Sequence, residues 1–268
     1  MIHNLSTRLI VISLMTAFLA LAVGGQAAAQ SDVPIAPTST PNYPITLQEG
    51  LTLDNQHGSE TIEQPKLTIE VDKPVLSGDA ALVDAFNMAV DTIIADTAGS
   101  FKSDILQYQT GEDLPPEIAD LGSYMDVGYQ FFTPTESVLS IAFGVDWYSA
   151  GAAHPNSYSR TLNYDLHSGT VLALADLFKS DAQYLEALSA YSVKVLTEKG
   201  TLMFPDGAEP TEQNYQNWNL TPDGLLITFD DYQVAPHVAG PQQVIVPYAE
   251  LTDLIDPDGV LGPLVTRG

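Results

Sequence analysis

The sequence predicts an α+β fold, an antiparallel β-sheet with helices packed on one face, preceded by a small strand-helix subdomain. Apolar and polar residues alternate strictly at 139–147, and residues 158–166 alternate in the same way except at Arg160, which is typical of strands with one face on a core. Apolar residues recur at helical spacing at 83–93 and 184–195, which is typical of helices that cover a sheet. The chain has 268 residues, 45% of them hydrophobic, so it can bury a sizeable core as one domain or as two halves that share a sheet.

The first 29 residues have the pattern of a secretory signal peptide. Arg8 precedes an apolar run from Leu9 to Val23, and Ala27-Ala28-Ala29 follows as a cleavage site. The run is shorter than the roughly 20 residues that span a bilayer, and a retained membrane anchor is the alternative. We therefore expect cleavage near Ala29 and a periplasmic or secreted mature chain with no membrane span.

The net charge and the lack of cysteine argue against several classes of function. The chain carries 34 acidic and 9 basic side chains, a net charge of −25 at pH 7, which becomes −26 if Arg8 leaves with the signal peptide. Such an excess repels nucleic acid and anionic membranes and suits a basic partner, although many exported proteins are acidic without one. The sequence contains no cysteine, which excludes disulfides, thiolate metal sites and thiol chemistry.

The N-terminal part is expected to contain one strand and one helix. Residues 30–62 are rich in Pro, Ser and Thr without a sustained period and predict a flexible leader. Within a small αβ subdomain at 63–114, we expect a strand from Lys66 that ends at Lys73-Pro74, then a helix from about 79 to 100, or on to 106. Pro115 and Pro116 follow this subdomain, because consecutive prolines cannot continue a helix.

The second part, residues 115–257, is expected to begin with a three-stranded meander and to precede a C-terminal tail at 258–268. Ser180 to Gln183 predict a capping box for a helix that ends at Gly200. The remaining expected elements are strands at 124–132, 139–147 and 158–166 with a turn at 133–136, a hairpin at 218–229 around the turn 221–224, a strand at 244–246 and a short helix at 248–255.

Six motifs within residues 120–255 resemble the extracytoplasmic domain of the RsiV family. They are WYSAGAAHP at 147–155, LNYDLHSG at 162–169, LADLF at 174–178, LTPDGL at 220–225, VAPHVAGP at 234–241 and VPYAEL at 246–251. The resemblance implies a domain of unknown function that is preceded by a small domain. The family includes an anti-sigma factor that senses lysozyme through this domain, and peptidoglycan deacetylases that carry it beside a catalytic domain.

Two departures from the family limit what the resemblance implies. Only eight residues precede the apolar run, which leaves no room for a sigma-binding segment, and no two histidines lie at i, i+4 spacing as in a metal-dependent deacetylase domain. We expect a non-enzymatic, exported binding module whose partner is a basic cell-wall-active protein such as lysozyme. The alternatives are a peptidoglycan-binding or cell-wall-acting enzyme, and an envelope protein stabilised by divalent cations.

Candidate binding residues lie in two loops. Small residues around His154 and a second loop at 230–240 could meet at one end of the sheet. Tyr148, His154, Asp231, Tyr232 and His237 would then form a polar cleft, with Tyr232 as the main contact residue. The alternative is that His154 and His237 only satisfy backbone groups where strands bend.

The sequence indicates no catalytic residue, metal or cofactor. Two histidines in separate loops fall short of the three or four ligands of a zinc site. No Gly-rich phosphate loop, nucleophile elbow or Walker lysine occurs, and among 34 acids no carboxylate pair of a glycosidase can be singled out.

Overall fold

The structure, a computed structural model, describes residues 43–47, 50–78, 80–109 and 115–265. Ten strands in these residues form two sheets, one of seven strands and one of three. The strands are β1 (Ile45–Thr46), β2 (Thr52–Glu63), β3 (Lys66–Ser77), β4 (Ser123–Thr135), β5 (Val138–Tyr148), β6 (Asn156–Asp165), β7 (Thr170–Val171), β8 (Trp218–Leu220), β9 (Leu225–Phe229) and β10 (Gln242–Val246).

Five α-helices connect or cover these strands: α1 (Ala80–Tyr108), α2 (Pro116–Ala119), α3 (Tyr184–Lys199), α4 (Tyr248–Leu251) and α5 (Gly262–Val265). Short 3₁₀ turns occupy Leu174–Leu177, Pro205–Ala208 and His237–Ala239. Among the helices described here, none combines the length and hydropathy that crossing a membrane requires.

The large sheet follows chain order from β1 to β7. All neighbouring strands are antiparallel except β3 and β4, which run parallel and are joined through α1. This helix packs on one face of the sheet, which we call the inner face. Phe86 of α1 meets Tyr164 of β6 edge to face at 5.4 Å, and the Tyr164 hydroxyl donates to the Leu82 carbonyl at 2.6 Å. The first core therefore lies between α1 and the large sheet.

The small sheet has the order β10-β9-β8 and forms a second core with α3. Leu188 and Leu196 of α3 are fully buried against Ile227 and Phe229 of β9, each 0% exposed. Gly200 ends α3 in the left-handed conformation at φ 72°, which glycine adopts without strain.

Hydrogen bonds from side chains join β8 to the opposite, outer face of the large sheet, and we call this contact the polar seam. The buried Ser140 hydroxyl accepts from the Leu220 N–H at 3.1 Å and from the Asn219 amide at 2.9 Å, and donates to Asn163 Oδ1 at 2.5 Å. Asn163 Nδ2 donates to the Trp218 carbonyl at 2.9 Å. One edge of β8 pairs with β9, and these side chains bind backbone groups that β9 leaves unpaired.

The structure confirms the α+β fold class, the long helix, the meander and the C-terminal hairpin and strand. The predicted halves share one sheet, because β3 pairs with β4. The small sheet is separate, whereas the sequence suggested one sheet.

Four local expectations differ from the structure. Residues 45–46 and 52–62, predicted as leader, form β1 and most of β2, because β2 pairs with the whole length of β3. β3 continues through Lys73-Pro74 to Ser77, and β4 continues to Thr135 beyond the predicted turn. Helix α3 begins after Gln183 with no side-chain cap. The predicted signal peptide and cleavage site lie outside the described residues.

Replacing Ser140 by Ala should test the polar seam. The Leu220 N–H would keep only a long contact of 3.4 Å with Asn163 Oδ1, and the Asn219 amide would keep only its bond to the Ile141 carbonyl. We therefore expect the free energy of unfolding to fall by about 1–3 kcal/mol. Denaturant titration would measure this change. The matched change Ser100→Ala, at an exposed position of α1, should alter stability by less than about 0.5 kcal/mol, and an equal effect of both changes would contradict the seam's role.

Candidate functional site

The loop after β5 is anchored by hydrogen bonds to the end of α1. The Ala150 N–H donates to the Ser123 hydroxyl at 2.9 Å, and this hydroxyl donates to Gln109 Oε1 at 2.7 Å. Gly151 has φ 89°, a conformation that other residues adopt only with strain. The small residues of this loop thus form a tight, anchored turn that positions His154.

The two predicted loops meet. The imidazole rings of His154 and His237 stack with centroids 4.3 Å apart and planes 17° apart. The Tyr232 ring also stacks on His237, with centroids 5.5 Å apart and planes 15° apart. We call these three rings the ring stack. Tyr232 is 54% exposed and has φ 66°, so the loop presents its ring to solvent in a conformation unusual for a non-glycine residue.

Asp231 holds the ring stack against the edge of the large sheet. Its Oδ2 lies 2.8 Å from His237 Nδ1 and accepts from the Ser157 hydroxyl at 3.0 Å. Only 5% of the Asp231 side chain is exposed, and within the described part of the chain its buried Oδ1 has no hydrogen-bond partner. Because a carboxylate accepts, we assign the proton of this hydrogen bond to His237 Nδ1, and in the neutral imidazole Nε2 is then an acceptor.

The neighbouring Asp230 binds the backbone of β6. Its Oδ1 accepts from the Ser159 N–H at 2.8 Å, and its Oδ2 accepts from Asn217 Nδ2 at 2.9 Å. Burial raises the pKa of Asp230, although these hydrogen bonds oppose the rise. The two consecutive aspartates therefore fasten the 230–237 loop to the strand that carries Ser157 and Ser159.

Four of the five predicted site residues lie together: His154, Asp231, Tyr232 and His237. Tyr148 instead stacks on Tyr124 across β4 and β5, with ring centroids 5.9 Å apart. His154 Nδ1 also lies 2.8 Å from the Pro155 carbonyl, so this histidine satisfies a backbone group as the alternative interpretation expected. Whether these residues bind a ligand stays a prediction.

The structure has a row of carboxylates on the outer face that the sequence did not predict. Glu70, Asp126 and Asp146 occupy matching positions on β3, β4 and β5, and Ser157 follows on β6. We call the three acids the carboxylate row. Since the Ser157 hydroxyl donates to Asp231, the β6 end of the row adjoins the ring stack.

Two of the three acids in the carboxylate row lack a basic partner among the described residues. His57 pairs with Glu70 at 3.1 Å, whereas Asp126 and Asp146 are exposed and have no ion-pair partner in the described ranges. Partial desolvation, Asp126 and Asp231 raise the pKa of Asp146, and partial desolvation and Glu70 raise that of Asp126. Like charges directly opposite one another across strands are destabilising. The unliganded row therefore carries uncompensated negative charge.

The described residues contain no group of three or more His, Asp or Glu side chains that could hold a metal ion. The ring stack supplies one exposed aromatic face and a His-Asp pair, and the carboxylate row supplies negative charge. This arrangement can bind a cation or the face of a ring. The Ser157 hydroxyl donates to Asp231 and not to His237, so Ser157 is not positioned as a nucleophile for this pair.

Part of the chain matches a known family. Residues 175–249 match the family model described as "Protein of unknown function (DUF3298)". A crystal structure of a DUF3298 family protein from Pseudomonas aeruginosa PAO1 has a TM-score of 0.58 at 13% sequence identity, over 79% of this chain and 97% of that one. Another, from Bacteroides fragilis NCTC 9343, has a TM-score of 0.56 at 20% identity, over 82% and 99%. At these identities the likeness shows the fold.

Two characterised proteins match part of this chain. Peptidoglycan-N-acetylmuramic acid deacetylase PdaC of Bacillus subtilis is 25% identical over 160 residues, which make up 58% of this chain and 34% of PdaC. The chain thus matches about a third of that relative's length. Immunogenic protein MPT64 of Mycobacterium tuberculosis is 23% identical over 171 residues, 62% of this chain and 72% of MPT64.

Replacing Asp146 by Asn should stabilise the protein at neutral pH. An acid whose pKa is raised on folding binds more protons in the folded state, so its contribution to stability falls as pH rises from the ordinary value near 3.9 through the folded value. We expect a gain below about 1 kcal/mol at pH 7, typical of exposed charges.

Thermal melts from pH 3 to pH 8 would check this prediction, and the gain should shrink as the pH falls. Asp84→Asn removes the same charge from the exposed side of α1 and is the matched control. A pH-independent gain, or an equal gain in both variants, would contradict the repulsion within the row.

Proposed function

We propose that this protein is an exported, non-enzymatic binding module for a basic cell-wall-active protein such as lysozyme. The observation that carries the proposal is the carboxylate row, in which Asp126 and Asp146 face solvent without a basic partner among the described residues. A basic partner would remove the repulsion between these acids. It would also be attracted over a longer range by the net charge of −25.

The surroundings of the row suit a protein partner. Tyr124 and Tyr148 lie two residues along β4 and β5 from the acids and therefore on the same face of the sheet. Tyr232 belongs to the ring stack, which adjoins the Ser157 end of the row through Asp231. Tyrosines beside charged groups are enriched where interfaces gain most of their binding energy. Aromatic side chains thus lie beside the acids and near one end of the row.

Three observations support a location and role at the cell envelope. The first 29 residues have the pattern of a signal peptide, and six motifs resemble a family with a lysozyme-sensing member. A relative that matches over part of its length is by name a peptidoglycan deacetylase. The proposal takes only the cell-wall setting from that name, because the matched residues form about a third of the deacetylase.

Titration against lysozyme and against an equally basic, unrelated protein tests the proposal. We expect lysozyme alone to bind at physiological salt, because complementary contacts then add to the electrostatic attraction, and both proteins to bind more tightly at low salt. Isothermal titration calorimetry at the two salt concentrations would measure the affinities. Equal binding of both proteins that disappears with salt would mean that only net charge is recognised, and no binding at low salt would overturn the proposal.

The ring stack favours a second candidate function, binding of peptidoglycan fragments. Tyr232 is more than half exposed, and a sugar ring can pack its apolar face on an aromatic ring while polar groups beside it fix the orientation. The His237 Nε2 acceptor and Asp231 lie next to this ring.

Retention on purified cell wall tests this candidate. Tyr232→Ala should lower the retained fraction several-fold, since it removes the exposed ring face. Phe204→Ala changes another exposed aromatic outside the ring stack and is the control, which should bind as the unaltered protein does. Equal retention of both variants, or no retention of the unaltered protein, would exclude the ring stack as a peptidoglycan site.

A further inference from the structure

We propose that His154 and His237 form a pH-sensitive contact, which holds the two loops of the candidate site together at neutral pH and releases them on acidification. Both rings belong to the ring stack, with centroids 4.3 Å apart and planes 17° apart. The inference goes beyond the proposed function, because it concerns how the two loops separate, whichever ligand the site binds.

The hydrogen bonds of the two rings locate the nitrogens that can take up a proton. His154 Nδ1 lies 2.8 Å from the Pro155 carbonyl, and His237 Nδ1 lies 2.8 Å from Asp231 Oδ2. Because a carbonyl oxygen and a carboxylate oxygen both accept, we assign a proton to Nδ1 of each ring. Nε2 of each ring then takes up the second proton on acidification, and both Nδ1 hydrogen bonds are compatible with this change.

Protonation therefore acts on the contact between the rings. Two neutral imidazoles can stack as other aromatic rings do, and an imidazolium can also lie on a neutral ring. Two imidazolium ions in this stack would bring like charges to a centroid distance of 4.3 Å. The observed arrangement of His154 and His237 thus suits one charged ring and is opposed when both rings are charged.

The surroundings of His237 stabilise a positive charge on that ring. The Asp231 carboxylate, with a side chain only 5% exposed, lies against Nδ1. The Tyr232 ring stacks at 5.5 Å and can attract a cation through its face. A charge on His154 would therefore form beside a ring that is already charged.

The other charged groups near the two loops are Asp230, Asp146 and Arg160. Burial raises the pKa of Asp230, and the Arg160 charge on β6 opposes that rise. Partial desolvation, Asp126 and Asp231 raise the pKa of Asp146 on β5. Arg160 is thus directed at Asp230, whereas Asp231 is the acid that contacts a ring of the stack.

The anchoring of the two loops decides which ring moves. Asp230 and Asp231 fasten the 230–237 loop, and with it His237, to β6. His154 is exposed, and its ring binds the carbonyl of the next residue, a bond that does not tie it to another part of the protein. We therefore expect the His154 ring to move away on acidification and to uncover the face of His237 that it covers at neutral pH.

NMR of the full chain with ¹³C-labelled histidine tests the proposal. Nuclear Overhauser effects between the ring protons of His154 and His237 should be present at pH 8 and lost at pH 5, because histidine changes charge within this interval. The ring carbon shifts would show when each ring becomes charged. Absence of these effects at pH 8, or their persistence at pH 5, would overturn the proposal.

Hydrogen exchange of the loop gives a second measurement with a matched control. After correction for the intrinsic rate, the amides of residues 150–154 should exchange about fivefold faster at pH 5 than at pH 8. His154→Phe keeps a flat ring that cannot become charged and should abolish this increase. His167→Phe makes the same change at an exposed histidine outside the ring stack and should retain it.

An increase that persists in His154→Phe, or that disappears equally in both variants, would contradict the role of the His154 charge. Neither measurement contains a ligand. Failure of lysozyme or cell wall to bind would therefore overturn the proposed function and leave the pH-sensitive contact standing, and the reverse result is equally distinguishable.

Discussion

The polar seam is the contact on which the rest of the structure depends. Two cores, one under α1 and one under α3, are joined by the buried hydrogen bonds of Ser140, Asn163 and Asn219, beside Val138 of β5, which is buried in the second core. Hydrogen bonds between buried groups have narrow geometric limits, so they fix the position of β8 on the large sheet more strictly than an apolar contact would. The stability of the seam is therefore sensitive to mutation, because removing one side chain takes a hydrogen bond from several buried groups at once.

The polar seam sets the position of the candidate site. β8 and β9 lead directly into the 230–237 loop, and Asp230 and Asp231 then bind Ser159 and Ser157 of β6. The ring stack is thus built from loops of both sheets, and Asp231 places it beside the carboxylate row at one edge of the large sheet.

Sequence reasoning was accurate where a pattern is local. Alternation at 139–147 predicted β5 with Asp146 outward, and helical spacing predicted α1. It could not find the carboxylate row, because Glu70, Asp126 and Asp146 are far apart in sequence and become neighbours only through strand register. It missed β2 because most of that strand is exposed and polar, and its stability comes from pairing with β3. The small residues around His154 suggested that the two histidine loops converge. The sequence could not predict that the two imidazole rings stack, because the distance and angle between them depend on the fold.

The carboxylate of Asp230 has a consequence for association between molecules. Beyond the short β7, the outer edge of β6 is the end of the large sheet, and an exposed edge offers backbone donors to any strand from another copy. Asp230 occupies the Ser159 donor, and its negative charge lies where an incoming carbonyl oxygen would have to approach. The loop that builds the ring stack therefore also blocks edge-to-edge strand addition, and so protects the protein against aggregation.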